Sequence, residues 1–276
     1  MSLSLITSRQ NPLVARYRAA ARGEDGDLVL LDGAHLVGDA LGAGIDIHHL
    51  AATPVAQARS DVGPLVAAAA RAGAEVASVS ENVMDALSPV RSASGVVALA
   101  ARPVHTIERV FAGDVPLVVI AVDVQDPGNV GALARVAEAG GTTGVIVAGA
   151  SADPFGWKAL RGSMGSSLRL PLASATADAA LAEARRHRCR IVAAIPRDGR
   201  PLYDVDLTGP VAILIGGEGP GLDRGIADAA DERITIPMQA PVESLNTAVA
   251  AALIVYEARR QRTTGSATKT RQHEPS

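Results

Sequence analysis

Residues 117–135 read LVVIAVDVQDPGNVGALAR, a run that passes from a strand through a turn into a helix. Its first part, 117–122, is entirely apolar and rich in Val and Ile, as expected for a strand buried on both faces of a sheet. Asp126 and Pro127 mark a polar turn, and the helical pattern that follows begins near Asn129, whose side chain can cap it. A strand that turns directly into a helix is the building unit of α/β proteins.

The second half of the chain repeats this unit. Short runs rich in Val, Ile and Leu lie at 144–147, 191–194 and 211–215, helical stretches lie between most of them, and a strong helix is predicted at 245–260. Buried strands that alternate with helices predict a mostly parallel sheet with helices on both faces. We therefore assign this half of the chain to the α/β class.

The chain length of 276 residues favours two domains of ordinary size. Residues 1–103 alternate shorter helices and strands, which predicts a small α/β domain with a mixed sheet. The Pro-flanked stretch 104–115 is the predicted linker and 116–262 the second domain. The polar tail 263–276 is predicted to be disordered.

Composition excludes several classes of protein. Cys189 is the single cysteine, which excludes a disulfide framework and a thiolate zinc site. No apolar run approaches the length of a membrane span and the N-terminus lacks the apolar core of a signal peptide, so we expect a cytoplasmic protein without a membrane partner. The net charge of −3 gives no general reason to expect a nucleic-acid partner.

The common nucleotide-binding and hydrolase motifs are missing from the sequence. It has no Gly-Lys pair of a Walker A loop, no GxGxxG, no GxSxG and no HExxH. Kinases, hydrolases, metalloproteases and dinucleotide-binding oxidoreductases are therefore disfavoured, and we expect no metal site.

A glycine-rich stretch follows the strand at 211–215. Residues 213–222 read ILIGGEGPGL, so four glycines surround Glu218. Glycine lets the main chain approach a ligand closely. A tight turn explains one or two of these glycines, but it does not explain a carboxylate among them.

The start of the last helix carries a third polar constellation. Residues 234–238, ITIPM, form a short strand that ends at Pro237, and 242–248, VESLNTA, lead into the helix. Ser244 is the expected cap of that helix. Asn246 is a polar residue at the start of an otherwise Ala-rich helix.

A fourth stretch, 161–169, reads RGSMGSSLR and combines two arginines with several hydroxyls and small residues. It can hold a phosphate or an RNA backbone. It can equally be a glycine-rich loop between a strand and a helix, and composition does not decide between the two.

In this order, these stretches resemble the three sequence motifs of the SpoU/TrmH family. Members of that family are S-adenosylmethionine-dependent RNA 2′-O-ribose methyltransferases of the SPOUT superfamily. The resemblance covers about residues 118–260, and 161–169 is similar to the family's middle motif. The residues that carry it are Asp126, Pro127, Asn129, Gly131 and Arg135, then Glu218, Gly221 and Leu222, then Ile236, Pro237, Met238, Ser244, Leu245 and Asn246.

The first domain shows a looser resemblance. The opening residues 7–12, TSRQNP, and the small α/β unit after them are similar to the substrate-binding domain that many family members carry, which resembles ribosomal proteins of the L30e/L7Ae type. The resemblance implies that residues 1–103 bind the RNA substrate.

The resemblance implies more than the residue pattern does. It implies a deep trefoil knot in the SPOUT domain, an exception to the rule that chains do not thread through loops. It also implies a homodimer whose active site lies near the subunit interface. The implied activity is 2′-O-ribose methylation of structured RNA with S-adenosylmethionine as cofactor. The expected substrate is 23S ribosomal RNA. One alternative function is 2′-O-methylation of transfer RNA, and another is that of a noncatalytic RNA-binding protein on the same scaffold.

The resemblance also assigns residues to roles. The implied reactive centre consists of Asn129, Arg135, Glu218, Ser244 and Asn246. The implied contacts to S-adenosylmethionine are Gly216, Gly217, Gly221, Ile236, Met238 and Leu245. Family models make Arg135 the general base, which is demanding because a guanidinium stays protonated. The alternative role is electrostatic: Arg135 holds the target phosphate and stabilises the negative charge that develops on the alkoxide.

RNA recognition is expected to depend on arginine. Aromatic residues are only 2% of the chain, so base stacking on aromatic rings cannot be the main device. Arg9, Arg16 and Arg18 precede the first acidic residue of the chain, and we predict that they form an RNA-facing patch. The middle motif adds Arg161, Ser163 and Arg169 as expected RNA contacts.

Overall fold

The structure is a computed structural model that describes residues 5–219 and 221–271, with the backbone alone for 265–271. The chain divides into two compact units. The first comprises Met1–Pro103 together with Phe155–Arg169, and the second comprises Val104–Pro154 together with Leu170–Ser276. No helix among the described residues is long and apolar enough to cross a membrane.

The elements of the first hundred residues alternate as predicted. In chain order they are β1 (Leu5–Ile6), α1 (Pro12–Arg22), β2 (Leu28–Asp32), α2 (Ala34–Gly42), β3 (Ile47–Ala52), α3 (Pro54–Gln57), α4 (Gly63–Arg71), β4 (Glu75–Val79), α5 (Glu81–Leu87) and β5 (Val96–Ala101).

The rest of the chain supplies a second set of elements. They are α6 (Ile107–Val110), β6 (Leu117–Val122), α7 (Pro127–Gly140), β7 (Gly144–Ala148), α8 (Trp157–Ser163), α9 (Ser166–Arg169), β8 (Leu172–Ala175), α10 (Ala177–Arg186), β9 (Arg190–Ala194), β10 (Arg200–Pro201), β11 (Val211–Gly216), α11 (Arg224–Asp228), β12 (Glu232–Thr235) and α12 (Thr247–Arg271).

The first unit is built on a mixed five-stranded sheet in the order β1-β4-β3-β5-β2. Strands β1, β3 and β4 pair in parallel, whereas β5 runs antiparallel to both β2 and β3. Helix α1 begins at Pro12 because Asn11 accepts a hydrogen bond from the Leu13 N–H and Pro12 takes the first helical position. Its buried Tyr17 enters the core between the sheet and α5.

The second unit contains a seven-stranded sheet in the order β10-β12-β9-β11-β6-β7-β8. Every strand pair in it is parallel, which confirms the predicted buried parallel sheet. The central strand β6 is buried along its whole length. Side chains of a strand alternate between faces, so β6 must be covered on both.

Helices cover both faces of this sheet. Val118, Ile120 and Val122 of β6 join a core with residues of α10 on one face. The other face lies under α7 and α12, which pack against each other and against β7 and β11. Gly140 of α7 makes this close packing possible, because a Cβ at that position would overlap Val255 of α12. The trefoil knot implied for this domain stays a prediction.

The structure differs from the predicted domain boundaries in three places. The predicted linker 104–115 contains α6, and Val110 and Phe111 lie in the core of the second unit. The segment 155–169 packs with the first unit although it lies inside the predicted second domain. The final helix continues to Arg271, so 263–271 are helical rather than disordered, and 272–276 lie outside the described residues.

Candidate active site

The first part of the site is the turn between β6 and α7. Asp126 caps α7 by accepting a hydrogen bond from the Asn129 N–H at 2.9 Å. We expected Asn129 to cap this helix, but Asp126 does so because the helix begins at Pro127. Asn129 therefore lies in the first helical turn, and its carboxamide is available for contacts with other segments.

The second part is the glycine loop that follows β11. Gly217 donates its N–H to the carbonyl of Val122 at 2.8 Å, so this loop lies directly against the end of β6. A Cβ on Gly217 would overlap the carbonyl of Asp123, which explains why glycine is needed there. The loop carries Glu218 to the amide of Asn129, and the carboxylate accepts a hydrogen bond from Nδ2.

The third part is the beginning of α12. Asn246 caps this helix, since its Oδ1 accepts hydrogen bonds from the N–H groups of Ala248 and Val249 at 3.0 and 3.3 Å. Ser244, the expected cap, lies three residues before the helix and is exposed. The amide of Asn246 donates to Oδ1 of Asn129 at 3.0 Å.

The three parts form one hydrogen-bonded chain with a fixed direction. Backbone N–H groups occupy Oδ1 of Asn246, so its Nδ2 must be the donor to Asn129. Oδ1 of Asn129 is then an acceptor, which leaves its Nδ2 to donate to Glu218. The hydrogen-bonded chain Asn246–Asn129–Glu218 therefore orients both polar atoms of the Asn129 carboxamide.

A cavity of about 320 Å³ lies beside these three hydrogen-bonded residues, at the carboxyl ends of β9, β11 and β12. Ligands of parallel α/β sheets bind at this edge. All six residues predicted to contact the cofactor line it, together with Glu218, Ser244 and Asn246. The six are Gly216, Gly217, Gly221, Ile236, Met238 and Leu245.

Another wall of the cavity was not predicted from the sequence. Ala194, Ile195 and Pro196 at the end of β9 line it, as do Thr247 and Ala250 of α12. The end of the strand predicted at 191–194 was a usable signal, because the carboxyl ends of parallel strands share one edge of a sheet.

Arg135 lies on α7 and is exposed. No hydrogen bond or ion pair joins its guanidinium to the residues described within 5–219 and 221–264, and it does not line the cavity. The structure therefore brings together four of the five residues expected in the reactive centre and leaves Arg135 apart. No cluster of three or more His, Cys, Asp or Glu side chains suited to a metal occurs among the described residues.

The three arginines expected to form an RNA-facing patch are all exposed. The Nε of Arg9 donates to the carbonyl of Asn82 at 2.8 Å, and the Nε of Arg18 donates to that of Ala86 at 3.3 Å. Asn82 and Ala86 both belong to α5. The side chain of Arg9, which precedes α1, and that of Arg18, which lies on α1, therefore both extend toward α5. Arg16 lies on the exposed side of α1.

The middle motif is helical rather than a loop. Helix α8 ends at Met164, which has a left-handed backbone, and α9 follows. Ser163 is fully buried, and its hydroxyl donates to the carbonyl of Leu160 at 2.8 Å, so this residue has a structural role in place of the expected RNA contact.

The two arginines of this motif lie near acidic side chains of the first unit. Arg169 pairs with Asp39 at 2.8 Å. Burial raises the pKa of Asp32, while the Ser88 hydroxyl and the positive charge of Arg161 act in the opposite direction. Both arginines are exposed and therefore still accessible to a ligand.

Comparison with known proteins identifies the family. A sequence model of the SpoU rRNA methylase family matches residues 116–256, and a model of the MRM3-like substrate binding domain matches residues 18–98. The first match covers most of the region that carries the motifs, and the second lies within the first unit.

Similar proteins cover almost the whole chain. An uncharacterised tRNA/rRNA methyltransferase of Synechocystis is 32% identical, with 94% of each chain aligned. The 23S rRNA (guanosine(2553)-2′-O)-methyltransferase of Bacillus subtilis is 27% identical over 83% of this chain and 88% of its own. The crystal structure of an AdoMet-bound rRNA methyltransferase from Sinorhizobium meliloti superposes with a TM-score of 0.84 at 28% identity, covering 94% of this chain and 98% of that one. The chain belongs to the SpoU rRNA methylase family.

Proposed function

We propose that this enzyme transfers the methyl group of S-adenosylmethionine to the 2′-hydroxyl of a ribose in 23S ribosomal RNA. The observation that carries the proposal is the chain Asn246–Asn129–Glu218, which joins three separate motifs beside a cavity of cofactor size. The 23S rRNA substrate is supported by the name of the Bacillus subtilis relative.

The cavity suits S-adenosylmethionine. Its volume of about 320 Å³ falls in the range of small-molecule sites. Ile236, Met238 and Leu245 give it apolar surface, and the glycines at 216, 217 and 221 let the main chain form part of the wall without side chains in the way. When bound, S-adenosylmethionine supplies an electrophilic methyl group on a sulfonium.

The residues around the cavity orient the acceptor. Methyl transfer requires the ribose oxygen to lie in line with the methyl group and to lose its proton. The hydrogen-bonded chain holds Glu218, which lines the cavity, against the amide of Asn129, and Ser244 adds an exposed hydroxyl to the cavity lining. These groups position the ribose.

Arg135 contributes through its charge. An exposed guanidinium six residues beyond Asn129 on α7 is well suited to bind the phosphate of the target nucleotide. Bound there, it also stabilises the negative charge that develops on the 2′-oxygen. This role does not require Arg135 to lose a proton.

The first unit captures the RNA. Arg9, Arg16 and Arg18 present positive charge on one helix and the segment before it, and phosphate contacts of this kind give affinity without sequence information. The match to a substrate binding domain supports this assignment.

The enzyme acts as a homodimer. Val249, Leu253 and Tyr256 are spaced four and three residues apart on α12, and they are 48%, 39% and 49% exposed. Such spacing places them on one face of the helix, and an apolar face of this kind is a feature of protein interfaces. A second copy of the chain covers this face. The relatives named above come from bacteria, in which ribosomal RNA is made in the cytoplasm, and we therefore place the enzyme there.

The test is to map ribose methylation by mass spectrometry in RNA from cells with and without the gene. We expect one 2′-O-methyl group of 23S rRNA to disappear with the gene and to return when purified enzyme and S-adenosylmethionine are added. Loss of a methyl group from transfer RNA alone would contradict the choice of substrate. An unchanged methylation map together with no binding of S-adenosylmethionine in calorimetry would contradict the activity.

A further inference from the structure

Asp123 stands where β6 ends and the first motif begins, and it has an unusual backbone. Its φ is 56°, in the left-handed region that most residues other than glycine avoid. Asp and Asn are the side chains that enter this region most readily after glycine. The bend at Asp123 turns the chain away from the sheet and into the segment that leads to Asn129.

The backbone of this bend touches the glycine loop. The carbonyl of Val122 accepts the Gly217 N–H at 2.8 Å, and Gly217 lies so close to the carbonyl of Asp123 that a Cβ would not fit. Glu218 is the next residue. The bend at Asp123 thus fixes where the glycine loop approaches α7.

The side chain of Asp123 holds the loop that follows β7. Its Oδ1 accepts the N–H of Ala150 at 2.7 Å, and Gly149 leaves the space for it, since a Cβ there would overlap the carboxylate. Ser151 of the same loop strengthens the contact, because its hydroxyl accepts the Val124 N–H at 3.0 Å. The segment after β6 is therefore held between the loops that follow β7 and β11.

We propose that Asp123 is a positioning residue for methyl transfer, which keeps the amide of Asn129 within reach of Glu218. Its side chain is hydrogen-bonded to Ala150 and not to Asn129 or Glu218. It acts by holding the segment 123–126, which ends at the cap Asp126 and leads into α7, between its two neighbouring loops. The proposal rests on the proposed function, since methyl transfer is one of its readouts.

The experiment compares three substitutions that separate backbone from side chain. D123N keeps an acceptor oxygen and the tolerance for a left-handed backbone. D123G keeps the backbone freedom and removes the acceptor, whereas D123A removes both. D114A, at an exposed aspartate of the same unit, is the matched control.

Two readouts are measured on the whole 276-residue chain. The first is kcat and KM for methylation of 23S rRNA. The second is the ¹⁵N NMR signal of the Asn129 side-chain amide, assigned with N129D, which reports on the hydrogen bond to Glu218 without requiring turnover. Thermal unfolding followed by circular dichroism monitors the fold.

We expect kcat of D123G and D123A to fall about tenfold or more with little change in KM for S-adenosylmethionine, and kcat of D123N to stay within about threefold of the unmodified enzyme. The amide signal of Asn129 should shift in D123G and D123A alone. An unchanged amide signal and full activity in D123G would overturn the proposal, as would a D123G protein that does not fold. If the unmodified enzyme methylates no RNA, the proposed function fails, while the amide signal still tests the role of Asp123.

Discussion

Asn246 donates a hydrogen bond to Asn129 at 3.0 Å across 117 residues of sequence. Because the other amide atom of Asn246 caps α12, the orientation of both carboxamides follows from the start of that helix. The cap of α12 therefore determines which atom of Asn129 faces Glu218, so that Nδ2 of Asn129 is the donor to that carboxylate. A change at any of these three residues should alter the site without removing buried apolar surface.

Replacing Asn129 by aspartate tests this arrangement at nearly constant volume. N129D substitutes a carboxylate oxygen for the group that donates to Glu218, so two negative charges face each other. Loss of one preorganised donor lowers kcat about a hundredfold in other enzymes, and we expect a decrease of this order. Single-turnover methylation of 23S rRNA measures it. N82D changes an exposed asparagine of the first unit in the same way. Because Asn82 lies beside Arg9 of the proposed RNA patch, the two variants are compared at saturating RNA, where N82D should leave the rate unchanged.

The apolar face of α12 predicts the response of the dimer to a charge. L253D places a carboxylate in the middle of the proposed interface, where an unpaired charge costs several kcal/mol when it is buried. We expect a dimer for the unmodified protein and a monomer for L253D in size-exclusion chromatography with light scattering. V55D, at an exposed valine of the first unit, should remain a dimer. A dimeric L253D protein would place the interface elsewhere.

The arginine patch of the first unit predicts a change in the salt dependence of RNA binding. The triple variant R9Q/R16Q/R18Q keeps most of each side chain but removes three positive charges. The slope of log K against log salt should become less steep by about two to three. The control R22Q/R59Q/R224Q removes three exposed arginines that each pair with an acidic neighbour. Equal slopes for the two triple variants would contradict a specific patch.

Burial of Cys189 raises its pKa to about 11, which predicts an inert thiol. At pH 8 only about 0.1% of such a group is the reactive thiolate. Ellman's reagent should therefore react slowly with the native enzyme and at once in guanidinium chloride. Since the raised pKa belongs to the folded state, the stabilisation from the neutral thiol is complete below pH 9 and is lost as the pH rises through 11. Rapid reaction of the native protein at pH 8 would show that the thiol is not buried.

Patterns along the chain predict the parallel sheet well, because burial on both faces requires the continuous apolar runs that β6, β7, β9 and β11 show. They predict helix starts less well. Asp, Asn and Ser are all good caps, so local preference does not choose between Asp126 and Asn129, or between Ser244 and Asn246. The choice is made by contacts between distant segments.

The middle motif shows a different limit of prediction from sequence. Its composition of Gly, Ser and Arg is typical of a loop that binds phosphate. In the structure α8 packs against the edge strand β2, and Trp157 lies against the core of the first unit. Neither contact has a local signal in the sequence, since β2 lies more than a hundred positions before α8 and the core of the first unit is drawn from residues 6–99.

The role of Arg135 is tested by R135K, which keeps the positive charge but loses the planar fork that binds two phosphate oxygens at once. If Arg135 grips the target phosphate and stabilises the developing charge, kcat should fall about tenfold or more, while affinity for S-adenosylmethionine stays unchanged because Arg135 does not line the cavity. R224K, at an arginine that is 94% exposed, is the matched control.

The pH dependence of R135K separates the two roles proposed for this residue. A lysine gives up its proton more readily than an arginine, so a residue that must accept the ribose proton should work better as lysine toward high pH. A residue that only binds phosphate should show the same relative loss at every pH, because both side chains stay charged between pH 7 and 9. We expect the second result, a constant ratio of the two rates across this range. Methylation by R135K at the rate of the unmodified enzyme would exclude both roles.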